Sequence, residues 1–177
     1  MPLSLYDATI PSYLQILTAV LGLIDKAEAF CAEKGIAEQA LLAEHFGPDM
    51  LPLANQLKWV STHSIGAIEA VRVGSFMPDR SAPPENFAGF RELVSASITA
   101  LKAVTVDEME GFIGRDMVFS VPALNIRMDF TAENFLLSFS QPNFYFHATT
   151  AYDILRHQGV AIGKRDYLGK PRIKMPA

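Results

Sequence analysis

The 177-residue chain has one cysteine, Cys31, one tryptophan, and no excess of basic residues. A lone thiol excludes an internal disulfide framework and fits a reducing compartment, so a cytoplasmic location is expected. Half of the residues are hydrophobic, yet no uninterrupted apolar run comes near the ~18 residues that span a bilayer. The longest candidate, Ile10 to Ile24, is interrupted by Pro11, Ser12, Gln15 and Thr18. The opening MPLSLYDAT lacks a basic stretch and carries Asp7 early, so no secretory leader and no membrane association are expected. There is no internal repeat and no low-complexity tract. The length suits one domain, residues 1–177, with a single core.

Charge is unevenly placed. Residues 1–155 hold 9 Lys/Arg against 18 Asp/Glu, whereas residues 156–177 hold 6 against 1. An acidic body argues against nucleic-acid binding through a broad surface. The basic tail, residues 159–177, reads as an extended segment packed on its own or a neighbouring acidic body.

What is present is helical periodicity. Tyr6, Ile10, Tyr13, Leu17, Val20, Ile24, Ala27 and Cys31 recur at spacings of four and three, a narrow apolar seam that ends at Gly35. Cys31 lies on that seam and reads as a structural thiol rather than a nucleophile. A short helix, Ala37 to His45, precedes a second long one, capped by Asp49 and running to about Val73. Its inward face is Leu53, Gln56, Val60, His63, Ala67 and Ala70; its outward face is Lys58, Thr62, Glu69 and Arg72. GSFMPDRSAPPEN is a loop, and Phe87 to Val104 forms a third helix. MVFSVPALNIRMDFT alternates about a turn and predicts a small β-hairpin. Thr131 then caps a fourth helix that ends at Gly159, with Pro142 in its interior freeing the Ser138 carbonyl and kinking the chain. The fold expected is an all-α four-helix bundle with a minor hairpin before the last helix.

Bundle cores host ligand and metal sites, so polar residues on inward faces are the candidates for function. They are Gln56, His63, Asn143, His147 and Thr150. Asn143, His147 and Thr150 share a narrow arc with Leu136, Phe139 and Ile154 at ~100° per residue. Asn143 and His147 stand at i, i+4, the spacing by which a helix offers two ligands to one ion. Buried polar groups must be hydrogen-bonded or bound to something, so a satisfied network stands beside a ligand pocket as a reading of this cluster. His45 and His157 read as solvated. Phe144, Tyr145 and Phe146 cannot all face inward, and Tyr145 shares a face with Tyr152, so a dimer contact there stands beside burial of the cluster in the core; the outward aromatic surface and the charge split make a homodimer the expectation.

The run PNFYFHATTAYDILRHQGVAIGKRDYLG, with SLYDATIP near the start and PDMLPLANQ opening the second helix, resembles a bacterial and fungal family. That family is domain of unknown function nineteen ninety-three, in the DinB/YfiT-like superfamily. The resemblance implies a four-helix bundle in up-down-down-up order. It also implies a divalent metal held by one histidine on the second helix and an i, i+4 pair on the fourth, used in some members to activate a small thiol. Those positions fall on Gln56, Asn143 and His147, so one histidine of three remains and no metal or other cofactor is expected, zinc or nickel being the alternative. Three functions stand open: a small-molecule-binding or vestigial bundle; a thiol-dependent transferase or isomerase with His147 as catalytic base or sole strong ligand; and a homodimeric interaction module.

Overall fold

Ser4 and Gly35 set the ends of the first helix, α1 (Leu5–Lys34), in the computed structural model, which describes residues 3–174. The Ser4 hydroxyl accepts from the Asp7 amide, and Gly35 turns left-handed at φ 64° so that its N–H reaches the Cys31 carbonyl. An 18-residue window of α1 has mean hydropathy 1.3, so by length and composition the helix could cross a membrane, contrary to the sequence expectation. Averaged hydropathy tolerates the interruptions that break a continuous run. Half of that window is buried inside the domain, and Ile10, Tyr13, Leu17, Val20 and Ile24 are fully enclosed by the other helices.

A short α2 (Glu38–Leu42) leads to α3 (Leu53–Thr62) and α4 (Ile65–Val73). Two expectations are corrected here. Asp49 does not cap α3: Pro52 is extended and occupies the cap position, with the Leu53 N–H bonded to the Glu44 carbonyl at 2.9 Å. The second helix is also not continuous to Val73. Ser64, at φ −110° and ψ −93°, interrupts it, and its hydroxyl turns back to the Val60 carbonyl at 2.8 Å, the local competition that bends helices at serine. Lys58, assigned outward, is buried instead.

After α4 comes β1 (Ser75–Phe76), then α5 (Phe87–Lys102) and the short α6 (Val106–Glu110). The predicted hairpin is β2 (Asp116–Val121) paired antiparallel to β3 (Ile126–Thr131), with Asn125 left-handed in the turn. β1 adds parallel to β2, which makes a three-stranded sheet in the order β1-β2-β3. The chain is therefore mostly helical with a small sheet, and all-α is too strict a description. Phe76, Phe119 and Phe130 on the sheet meet Phe135 and Phe139 of the last helical pass, with ring centroids 4.8–5.9 Å apart.

That pass is α7 (Ala132–Asn134), a π-helical turn (Phe135–Ser140) and α8 (Gln141–His157). The kink expected at Pro142 is resolved by the π turn immediately before it, where the Gln141 N–H reaches back to Leu136. A wider turn accommodates a ring that lacks an N–H and would clash with the carbonyl one α-turn earlier. α8 packs along α3, and α1 along α5. The tail is not simply extended. A short α9 (Lys164–Leu168) docks on α1, where Gln15 donates to the Leu168 carbonyl at 2.8 Å. The tail–body ion pair there has reversed polarity, Lys26 of the body to Asp166 of the tail at 2.7 Å. Residues 175–177 of the predicted tail lie outside the described residues.

Candidate functional site

Two irregularities face each other across the interior: the break between α3 and α4, and the π turn before α8. Ser140 joins them. Its hydroxyl donates to the His63 carbonyl at 3.0 Å and accepts from His63 Nδ1 at 3.3 Å. Since the hydroxyl has one proton and gives it to the carbonyl, Nδ1 of His63 carries the ring proton. Nε2 of His63 is then a lone pair, buried and without a hydrogen-bond partner.

Two turns further along the same pass, in α8, His147 Nδ1 lies 2.7 Å from Gln56 Oε1. Gln56 is oriented by donating its amide N–H to the Leu51 carbonyl at 2.9 Å. The carboxamide oxygen can only accept, so His147 donates from Nδ1 and its Nε2 also keeps a lone pair. The two imidazoles stack, 5.6 Å between centroids and 16° between planes, with Trp59 against both at 5.6 and 5.3 Å. Phe76 stacks on the other side of His63 at 5.6 Å.

Burial disfavours charge on these rings. His147 is pushed down to about 4 by desolvation, and His63 to about 3 by desolvation first and by His147 second. Both are neutral near pH 7, and each presents one acceptor nitrogen. The pair can accept hydrogen bonds or a proton; it offers no anion.

Of the five residues expected to form a pocket, three come together: Gln56, His147 and, through ring stacking, His63. Asn143 does not join them. It is only half-buried, and its amide donates to the Phe139 carbonyl of its own helix at 2.7 Å, a local partner always within reach of a helical asparagine. Thr150 is buried but bonds to none of the other four. Ser140 and Trp59 were not anticipated. Ser140 is signalled only as a hydroxyl within FLLSFS, and its aim depends on the π turn.

A family model described as "Domain of unknown function (DUF1993)" matches residues 5–168. The chain belongs to this family. No curated protein matches the DUF1993 chain. Among solved structures it is similar to the crystal structure of a DinB family member protein from Shewanella denitrificans. Identity is 28%, 97% of this chain and 96% of that one are covered, and the TM-score is 0.79.

DinB-like proteins lead one to test for a divalent metal at Gln56, Asn143 and His147. The donor set does not fit one. It contains a single imidazole, and carboxamides are weak ligands for zinc or nickel. Gln56 and Asn143 are moreover held by bonds to His147, Leu51 and Phe139. Among the described residues no cluster of three or more His, Cys, Asp or Glu is arranged to hold an ion.

Proposed function

We propose that this DUF1993 chain is a metal-independent, small-molecule-binding member of the DinB-like superfamily, a four-helix bundle in up-down-down-up order. Its former metal position is a fixed hydrogen-bonded knot. The observation that carries this reading is the 2.7 Å bond between His147 Nδ1 and Gln56 Oε1, which commits both groups to each other. A histidine ligating a metal through Nε2 still gains from such an Nδ1 partner, but the two further imidazoles are replaced by carboxamides. The same proposal places the chain in the cytoplasm, in keeping with its unpaired, buried Cys31. It also includes a homodimer, moved to Phe146, which is 53% exposed, because Tyr145 and Tyr152 are half-buried against the core and Tyr152 meets Tyr167 of α9; light scattering checks it.

Elemental analysis of the purified protein tests the metal part. Zinc, nickel and iron are expected well below one per chain. About one tightly held ion per chain, lost in His147→Ala, would end the proposal.

A second reading has one observation in its favour. Nε2 of His147 has no hydrogen-bond partner and keeps its lone pair at neutral pH, while the burial that lowers the ring to about 4 makes it a weak base. A thiol-dependent transferase or isomerase would use it to take the thiol proton. Thiol-dependent turnover abolished in His147→Gln would install that reading in place of the first.

A further inference from the structure

The small sheet has two edges, and they are finished differently. β1 forms one with only two residues, Ser75 and Phe76. β3 forms the other with six, Ile126–Thr131, paired without a bulge to Asp116–Val121 of β2. A free strand edge is a template for pairing unless shortness, proline, a bulge or a covering element blunts it. β3 has neither proline nor bulge, and Ile126, Arg127, Met128 and Asp129 are all exposed. Among the described residues no strand lies outside β3, and no loop or helix bonds to the backbone of Arg127 or Asp129.

The direction of the free groups follows from β2. Val118 gives its N–H to the Gly74 carbonyl on the β1 side at 3.0 Å, whereas the Arg115 carbonyl accepts from Ala132 on the β3 side at 2.8 Å. Backbone groups alternate sides along a strand, so Met117, Phe119 and Val121 turn theirs toward β3. Their partners Phe130, Met128 and Ile126 are thereby engaged. Arg127 and Asp129 turn their N–H and C=O groups outward.

The side chains sort by the same alternation. Met117, Phe119 and Val121 are buried, so Phe130, Met128 and Ile126 opposite them share the inward face of the sheet. Ile126 and Met128 are nevertheless 40% and 36% exposed, because the sheet ends beside them. Arg127 and Asp129 stand on the solvent face, paired with each other at 2.7 Å.

The order apolar, Arg, Met, Asp, apolar is complementary to itself when reversed. In an antiparallel pairing centred on Met128, Arg127 lies opposite the partner's Asp129, and Asp129 opposite the partner's Arg127. These are the residues whose backbone groups point outward, so each pair also exchanges main-chain hydrogen bonds. On the inward face Met128 meets the partner's Met128, and Ile126 meets the partner's Phe130, which covers the apolar edge. The next registers that keep the outward groups paired set Arg127 against the partner's Arg127, or Asp129 against the partner's Asp129. Like charges then face each other.

We propose that β3 is a self-pairing edge, by which two copies of the chain join antiparallel about a two-fold axis at Met128 into one continuous sheet. The assignment rests on the homodimer reading above and adds a contact separate from that at Phe146.

Light scattering on the full-length protein at tens of micromolar reads the pairing. Arg127→Asp sets like charges opposite each other and should halve the mass, with the fold unchanged by circular dichroism because the residue is exposed. Adding Asp129→Arg to that variant exchanges the two charges and should restore the mass. Facing residues at the axis stand ~4.5 Å apart at Cα, within disulfide reach. In a Cys31→Ala background, Met128→Cys should therefore cross-link two copies with diamide as oxidant, and the exposed Leu124→Cys should not. Equal cross-linking at both positions overturns the axis. A charge exchange that fails to restore the mass overturns the register. A mass halved by Phe146→Ser and untouched by Arg127→Asp overturns the β3 contact and keeps the one at Phe146. A monomeric wild type overturns both.

Discussion

The two faces of α3 present polar groups to the interior in opposite ways. On one, Gln56 and His63 are met by His147 and Ser140 across two helices, with Nε2 of each imidazole left without a partner. On the other, Lys58 secures the loop, while the Ser61 hydroxyl, one turn along, is buried without a partner. The first face behaves as structure: its groups stabilise one another, and removing any one strands the rest. The second faces an open groove lined by α3, α4 and α5.

The largest expected effect comes from acid, and it acts on the closed face. His63 and His147 titrate at about 3 and about 4 in the fold, against an ordinary value of 6.5. The folded values lie below the unfolded one, so below pH 6.5 the unfolded chain takes up protons that the native state refuses. Their contribution is intact above pH 6.5 and is lost progressively as pH falls toward 4 and then 3. Each histidine adds a slope of up to about 1.4 kcal/mol per pH unit in that window. Urea midpoints measured through it should fall steadily. A flat profile would mean that the imidazoles are hydrated and the face is not closed.

His147→Ala comes next, with a loss of ~1–3 kcal/mol as Gln56 Oε1 is left buried without its donor. Chemical denaturation gives the value, and a loss under about 0.5 kcal/mol would remove the distinction between the faces. On the open face Gly66→Leu should instead stabilise by about 1 kcal/mol, since it replaces a helical glycine and fills space. A destabilised variant would show that the groove walls are already in contact in solution. Smallest is Ser61→Ala, within about 0.5 kcal/mol of wild type, because the hydroxyl has no partner to strand. A loss there as large as that of His147→Ala would reveal a hidden partner and make the two faces alike.

Much of the fold is legible in the residue pattern because it follows from periodicity and end signals. The seam from Ile10 to Cys31, the stop at Gly35, the helix from Phe87 and the hairpin about Pro122 to Asn125 are local features that neighbours confirm. The parallel strand β1 was not legible. Two residues inside a proline-rich loop carry no period, and their pairing with Val118 and Phe119 is set by contacts some forty residues away. Lys58 misled for a related reason. Its spacing with Thr62 and Glu69 describes an outward face, but Asp79 and Ser81 fold over it from a segment with no pattern of its own.

At the candidate site, Gln56 and His147 were found because both lie on inward arcs of regular helix. Asn143 was grouped with them by the same i, i+4 argument, which places a side chain on a face but does not choose its hydrogen-bond partner. The Phe139 carbonyl was nearer. Ser61 could not be singled out at all. In sequence it is one of several helical hydroxyls, and only the contrast with the bonded Ser64, Thr62 and Ser97 sets it apart.

The π turn over Phe135–Ser140 makes the polar knot depend on how many residues precede it as well as on which they are. One additional residue in a helical turn rotates everything downstream by about 100° relative to an unbroken α-helix. That offset lets a single pass aim Ser140 at the α3–α4 break and then His147 at Gln56. Deleting one residue from this stretch would leave the composition and hydrophobicity of the helix almost unchanged. It would swing the imidazole to another side of the bundle, so a change in length by one is the simplest genetic route by which a relative could gain or lose this arrangement.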